Sequence, residues 1–185
     1  MQSLHFALPT VLVDIPRNPV YAIGMPLVLG SLSGYPTSSV VKGPWYKALT
    51  KPALDPPRAT FGIVWPVLYA SMGYASHLAV KAYDANLSPT SRVDAYSGLK
   101  LYYIQLGMNL AWTPIFFGLK KKGLALVDMV SLVGTVFWMT AMLHGPTGGR
   151  STYLLAPYCL WLSFATYLNT SFWWNNRTKT ELKKD

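Results

Sequence analysis

Five long segments with almost no charged residues alternate with short charged segments along this chain. Four of them contain no Asp, Glu, Lys or Arg, and the other contains only Asp128 before it ends at Arg150. A helix needs about 20 apolar residues to cross the hydrocarbon of a bilayer, and each segment is long enough. The segments lack the alternation of apolar and polar residues that is typical of barrel strands. Backbone N–H and C=O groups in lipid must form hydrogen bonds within the protein, so we predict helices. The predicted spans are about 18–37, 60–81, 96–118, 123–144 and 152–175.

Composition supports a membrane location. Hydrophobic residues make up 51% of the 185 residues, charged residues 12%, and the mean hydropathy is +0.25. A soluble domain carries about 25% charged residues, so this chain has too few to cover a water-facing surface. We therefore expect an all-α integral membrane protein: a bundle of five transmembrane helices in residues 18–176. An N-terminal segment (1–17) precedes it, and a charged tail (177–185) follows.

The net charge of +9 is concentrated in the predicted loops. In a soluble protein it would suggest nucleic acid as a partner, but here it sets the topology and contacts anionic lipid. Five spans put eleven basic residues on the side of the first loop, the third loop and the C-terminus, against five on the other side. The positive-inside rule then places the C-terminus in the cytosol.

The first loop, residues 36–59, is long and unusual. Its five prolines preclude a long helix, and Trp45, Tyr46 and Leu49 make it too apolar for a free linker. We expect it to fold over one end of the bundle as a lid. The third loop, Lys120–Lys122, is so short that the third and fourth helices should form an antiparallel hairpin.

Ionisable chemistry is scarce in the predicted spans, which contain Asp128, His77 and, near one end, His144. The sequence shows no metal-ligand cluster, no phosphate-binding glycine loop and no nucleophile with a base nearby. A proton-coupled pump needs a chain of ionisable groups, so that class is disfavoured. We expect Asp128 to interact with the helix dipole and with a lysine of the 120–122 loop, and His77 to serve packing.

Aromatic residues are abundant instead, at 14% with seven tryptophans. Trp65, Trp112 and Trp161 lie several residues inside spans, where the interfacial belt does not explain them. Each shares a helix face with a tyrosine or an asparagine three or four positions away. Polar side chains this deep in a bilayer should face a hydrogen-bond partner or a cavity rather than lipid. Prolines within three spans can open space between helices. Two interpretations remain: a pocket for a flat hydrophobic ligand, or tight aromatic packing.

Four motifs follow one another in a recognisable order. They are Trp45-Tyr46-x-x-Leu49-x-Lys51-Pro52, then Pro56-Pro57-x-x-x-Phe61-x-x-x-Trp65-x-x-x-Tyr69, then Gln105-x-x-x-Asn109-x-x-Trp112-x-Pro114-x-Phe116-Phe117-Gly118 followed by Asp128, and finally Pro157-Tyr158-x-x-Trp161-x-x-Phe164-Ala165-Thr166-x-Leu168-Asn169-x-x-x-Trp173-x-x-Asn176. From about Gly30 to Asn176 the chain resembles the translocator protein family (TspO, the peripheral-type benzodiazepine receptor). Its N-terminal part is more similar to fungal members than to bacterial or animal ones.

The resemblance implies a five-helix bundle whose first loop closes over a pocket for porphyrins and for synthetic benzodiazepine-receptor ligands. It also attributes sterol binding to the fifth helix. The implied pocket residues are Tyr35, Phe61, Val64, Trp65, Asn109, Trp112, Phe116, Leu124, Val127, Trp161, Ala165 and Leu168, and the implied lid residues are Trp45, Leu49 and Pro52.

The chain departs from animal members at three places. Thr170, Ser171 and Trp174 stand where the sterol-recognition Tyr and Arg would be, and Leu124 replaces a Trp. Lys100 and Ile104 replace the small residues of a dimer motif. Gly30 and Gly34 offer another close contact, either within the bundle or in a homodimer.

The leading hypothesis is a membrane receptor or carrier for porphyrin-type tetrapyrroles such as protoporphyrin IX or a heme-like molecule. Trp65, Trp112 and Trp161 would stack on the ligand and Asn109 would orient it, with no metal and no further cofactor. One alternative is light- and oxygen-dependent porphyrin breakdown through Trp65 and Trp161. Another is sterol or lipid binding and transport. The resemblance suggests the mitochondrial outer membrane, with the endoplasmic reticulum as the second choice.

Overall fold

The computed structural model of the chain describes residues 6–85 and 88–177, and every regular element in these ranges is helical. The predicted all-α class is therefore confirmed for the described residues. The elements are α1 (Thr10–Asp14), a 3-10 turn (Ile15–Arg17), α2 (Pro19–Gly34), α3 (Thr37–Lys42), α4 (Pro44–Lys47), α5 (Arg58–Asp84), α6 (Pro89–Thr113), a π-helical turn (Pro114–Gly118), α7 (Lys122–His144) and α8 (Arg150–Asn175).

Helices α2, α5, α6, α7 and α8 lie at the five predicted spans. By length and composition, α5 and α7 are long and apolar enough to cross a membrane. That each of the five helices crosses a membrane remains a prediction. Residues 178–185 of the predicted tail lie outside the described part of the chain.

The start of α6 and the end of α2 differ from the predicted boundaries, and a proline lies at each. Helix α6 begins at Pro89 rather than 96, because the Ser88 hydroxyl accepts a hydrogen bond from the Ser91 amide and Pro89 occupies the first turn. Helix α2 ends at Gly34 rather than 37, because Pro36 has no N–H to continue the hydrogen-bond ladder.

Two connections fix the antiparallel order of α6, α7 and α8. Lys120, with φ of 60°, turns the chain directly from the π-helical turn into α7. Gly148 and Gly149 have φ of 57° and 79° between α7 and α8, a left-handed conformation that glycine adopts without steric cost. As a result, α7 packs against both α6 and α8.

Helix α5 packs against α2, α6 and α8. Its crossing with α2 is close, because a Cβ atom on Gly73 would overlap the carbonyl oxygen of Ala22. Gly30 on α2 is likewise covered by the Tyr69 ring, whereas Gly34 is exposed and nothing lies near it. Gly30 therefore serves packing within the bundle.

The N-terminal segment and the polar span residues also find defined places. The Nδ1 atom of His77 lies 2.7 Å from the carbonyl oxygen of Pro16, so His77 helps to dock that segment. The prediction that a loop lysine pairs with Asp128 is wrong. Among residues 6–85 and 88–177, no cation lies within salt-bridge distance of the Asp128 carboxylate. The Lys120 ammonium instead lies over the Trp45 ring, 5.6 Å from its centroid. The Oδ2 atom of Asp128 is buried without a hydrogen-bond partner there.

Candidate functional site

An apolar groove runs between α5 and α8 and has a volume of about 450 Å³. We call it the α5–α8 groove. Its walls are spaced at helical intervals on each helix, so one face of α5 and one face of α8 form it. The lining residues are Ile63, Val64, Val67 and Leu68 of α5, and Pro157, Leu160, Trp161 and Phe164 of α8. Two of the predicted ligand-binding residues, Val64 and Trp161, are among them.

Trp161 is the only lining residue with a polar side chain. Its ring meets Phe61 edge to face at 5.7 Å and lies 5.8 Å from the Phe164 ring. The Trp161 indole N–H is buried and has no hydrogen-bond partner in the described part of the chain. Leaving a buried donor unpaired costs about 1–3 kcal/mol. The structure thus brings Phe61 and Val64 close to Trp161, whose donor is unsatisfied.

Ala165 and Leu168 continue the Trp161 stripe along α8. They follow it at intervals of four and three residues, so all three side chains lie on one face of the helix. Both residues are buried in the bundle. Trp65 lies against the Tyr69 ring, 5.6 Å away, and packs on the main core rather than lining the groove.

Asn109 occupies a buried hydrogen-bond network instead of facing the groove. Its Oδ1 atom accepts from the Tyr69 hydroxyl at 2.6 Å, and its Nδ2 atom donates to the Tyr158 hydroxyl at 2.9 Å. Tyr158 in turn donates to Gln105 Oε1 at 2.8 Å. The network joins α5, α6 and α8, and the amide that was expected to orient a ligand is engaged within the chain. Burial of such linked polar groups favours one specific helix arrangement.

Trp112 packs in a second aromatic group. Its indole N–H donates to Asn169 Oδ1 at 2.8 Å, and Asn169 Nδ2 donates to the Lys122 carbonyl at 3.1 Å. The Trp112 ring stacks on Phe116 at 4.9 Å with an interplanar angle of 18°. Of the three predicted tryptophans, Trp161 lines the α5–α8 groove and Trp112 contributes to this second group.

This second group, which we call the loop cluster, joins the first loop to the ends of α6 and α8. Phe116 and Phe172 are buried in it, and the π-helical turn after Thr113 presents Phe116 to the loop. Its members are Trp45, Tyr46, Leu49, Trp112, Ile115, Phe116, Phe117, Ala125 and Phe172. Four of the predicted lid and pocket residues lie here, namely Trp45, Leu49, Trp112 and Phe116, and the remaining lid residue, Pro52, is also buried.

Hydrogen bonds from Asn176 hold the same loop. Its Oδ1 atom accepts from the Thr50 amide at 2.8 Å, and its Nδ2 atom donates to the Thr50 carbonyl at 2.9 Å. Burial raises the pKa of the Tyr46 phenol above its ordinary value, so Tyr46 is neutral at physiological pH. Sequence reasoning gave neither Asn169 nor Asn176 a role, although both belong to the last motif. An amide at a helix end among aromatic residues was the available signal.

Three predicted pocket residues lie apart from both aromatic groups. Tyr35, Leu124 and Val127 are 82%, 48% and 64% exposed. On α7 the buried face is formed by Ala125 and Met129, and residues 124 and 127 point away from it. Tyr35 follows the last residue of α2.

Comparison with known proteins agrees with the motifs found in the sequence. The sequence profile of the TspO/MBR family matches residues 22–174. The "Translocator protein homolog" of Schizosaccharomyces pombe is 42% identical over 127 residues, 69% of this chain and 74% of that protein. The "Translocator protein" of Sus scrofa is 40% identical over 159 residues, covering 84% and 90%. The "Tryptophan-rich protein TspO" of Archaeoglobus fulgidus is 31% identical over 144 residues, covering 77% and 86%. The resemblance found in the sequence is thus confirmed, and the chain belongs to the TspO/MBR family of membrane proteins.

Proposed function

We propose that this chain is a five-span membrane receptor or carrier that binds porphyrin-type tetrapyrroles and other flat hydrophobic molecules in the α5–α8 groove. The observation that carries the proposal is the buried, unpaired indole N–H of Trp161 at an apolar, aromatic wall. The first loop would act as a lid over one end of the bundle, and no cofactor is needed beyond the porphyrin ligand itself.

The chemistry of the groove suits a flat conjugated ring with a polar edge. Its volume lies in the range of about 300–1,000 Å³ found for small-molecule sites. Phe61, Trp161 and Phe164 offer ring edges and faces, and aromatic pairs contribute about 0.5–1.5 kcal/mol beyond the area they bury. A porphyrin carboxylate at the ring edge could accept the Trp161 N–H.

The groove opens on the side of the bundle. Ile63, Val67 and Leu160 on its rim are strongly exposed, and in a five-span arrangement they would face the hydrocarbon of the bilayer. A hydrophobic ligand dissolved in the membrane could then reach Trp161 without crossing water. In this arrangement the lid end and the C-terminus would be cytosolic, in the mitochondrial outer membrane or, as the alternative, the endoplasmic reticulum.

Titration of protoporphyrin IX into purified protein in nanodiscs tests the proposal, with binding read from the porphyrin absorbance. We expect Trp161→Ala to weaken binding by roughly tenfold or more, because it removes a ring contact and the hydrogen-bond donor. Trp138→Ala is the matched control, because Trp138 is an exposed tryptophan on α7 outside the groove. Equal affinity of the two variants and the unchanged protein would refute the assignment of the groove.

Illumination of the same samples in air separates binding from porphyrin breakdown. A binder leaves the rate of porphyrin bleaching no faster than in nanodiscs without protein. Bleaching that the protein accelerates, and that Trp161→Phe slows, would favour the photo-oxidative alternative instead.

A further inference from the structure

Positive charge is concentrated at the end of the bundle where the first loop packs. Among the described residues, Asp55 is the only carboxylate of the first loop and of the turn before α7, and Lys51 pairs with it at 3.4 Å. At the opposite end Arg17 is paired with Asp84 and Asp14. We call the exposed cations of the loop end the basic collar: Lys42, Lys47, Lys51, Arg58, Lys120, Lys121 and Arg177.

Packing of the loop brings like charges of separate segments together. The Lys120 ammonium, from the turn before α7, lies 5.6 Å from the Trp45 ring centroid. The Lys51 ammonium, from the loop, lies 5.8 Å from the Tyr46 ring centroid, and these two rings are 6.2 Å apart. Cations of the loop and of the turn before α7 therefore lie over adjoining rings at the same end of the bundle. An anionic surface at this end would attract both segments at once.

The exposed apolar residues at the same end indicate which anion fits. Leu54 of the first loop and Leu119 beside Lys120 are strongly exposed. Trp174 is also exposed, and the Arg177 guanidinium stacks on its ring at 3.6 Å. A tryptophan with a stacked cation is typical of the membrane interface, where phosphate groups and acyl chains meet. A soluble anion would use the cations but not the apolar residues.

We infer that the basic collar binds the phosphates of anionic phospholipids and that this binding stabilises the closed first loop. The inference rests on the five-span arrangement proposed above, which puts the collar at the lipid headgroups. Each lysine or arginine near an anionic surface is attracted to it, and attraction of both the loop and the turn before α7 to the same surface favours the arrangement in which they pack together.

Hydrogen exchange of residues 44–52 tests this inference in nanodiscs of neutral phosphatidylcholine and in nanodiscs that also contain phosphatidylglycerol. We expect roughly fivefold slower exchange with the anionic lipid, the effect of about one cation at a charged surface. Lys47→Gln with Lys121→Gln should reduce the difference, because it removes one cation of the loop and one of the turn before α7 while leaving the lysines over Trp45 and Tyr46 in place.

The control is Lys81→Gln with Arg150→Gln, which removes the same charge from exposed positions outside the collar and should leave the lipid effect intact. Equal exchange in the two lipids, or loss of the effect in both double variants, overturns the inference. Inorganic phosphate added to neutral nanodiscs should not slow exchange, and slowing by phosphate alone would show a site for soluble anions instead. No porphyrin is present, so the result is independent of porphyrin binding.

Discussion

Removal of the Asn176 side chain should release the first loop from the end of α8. Asn176 is only 1% exposed, and its amide makes two hydrogen bonds with the Thr50 backbone and a third with the Phe172 carbonyl at 2.9 Å. The substitution Asn176→Ala deletes all three and leaves the Thr50 backbone groups without this partner. The aromatic contacts of the loop cluster stay in place.

The expected size follows from the two bonds to Thr50. A hydrogen bond within a protein contributes a net 0.5–1.5 kcal/mol, so the pair should stabilise the packed loop by about 1–3 kcal/mol. A difference of that size changes the equilibrium between packed and released loop by roughly 5- to 150-fold. Ligand release past the loop should become faster by a similar factor if the loop is a lid.

Hydrogen exchange measures the opening directly. The amides of Ala48 and Leu49 donate to Pro44 and Tyr46 within the loop, so their protection reports whether the loop keeps its structure. We expect their exchange in Asn176→Ala to accelerate within the range above. Asn175→Ala is the matched control, because Asn175 is the preceding residue of α8 and is exposed.

Two results would contradict this reasoning. Unchanged exchange in Asn176→Ala would mean that the aromatic contacts alone hold the loop. Equal acceleration in Asn175→Ala would mean that both substitutions fray the end of α8, and that the Thr50 bonds have no specific role.

Two further predictions concern the helix contacts and the N-terminal segment. Gly73→Ala should lower the free energy of unfolding by about 1–3 kcal/mol, because the added methyl overlaps the Ala22 backbone. Gly62→Ala on the same helix is the control, because its added methyl meets no described atom within 4 Å and should be neutral or stabilising. Equal melting temperatures of the two variants would refute the close crossing of α2 and α5. The hydrogen bonds from Arg17 hold the pKa of Asp84 below its ordinary value of 3.8. The Arg17–Asp84 pair, which attaches the N-terminal segment to α5, is therefore present at neutral pH and is lost only as the pH falls below about 4. Asp84→Asn should reproduce that loss at pH 7, seen as faster hydrogen exchange in residues 8–16, and unchanged exchange would count against it.

Part of the site was predictable from the sequence because neighbours on one helix share a face at fixed spacing. The contact of Trp65 with Tyr69 follows from that rule alone. It does not say which other helix lies opposite. Asn109 therefore looked like a ligand contact, whereas its partners Tyr69 and Tyr158 come from two different helices.

The sequence by itself determined the all-helical class and the family, because apolar length, charge-free segments and motif order are properties of consecutive residues. Only the tertiary structure decided how each helix is rotated about its axis and which neighbour it meets. Contacts such as Gly73 against Ala22 set those rotations. They turn Trp112 toward the first loop and Trp161 toward the α5–α8 groove, and they leave Val127 on the outside. These outcomes depend on packing between residues far apart in the chain, which no local pattern records.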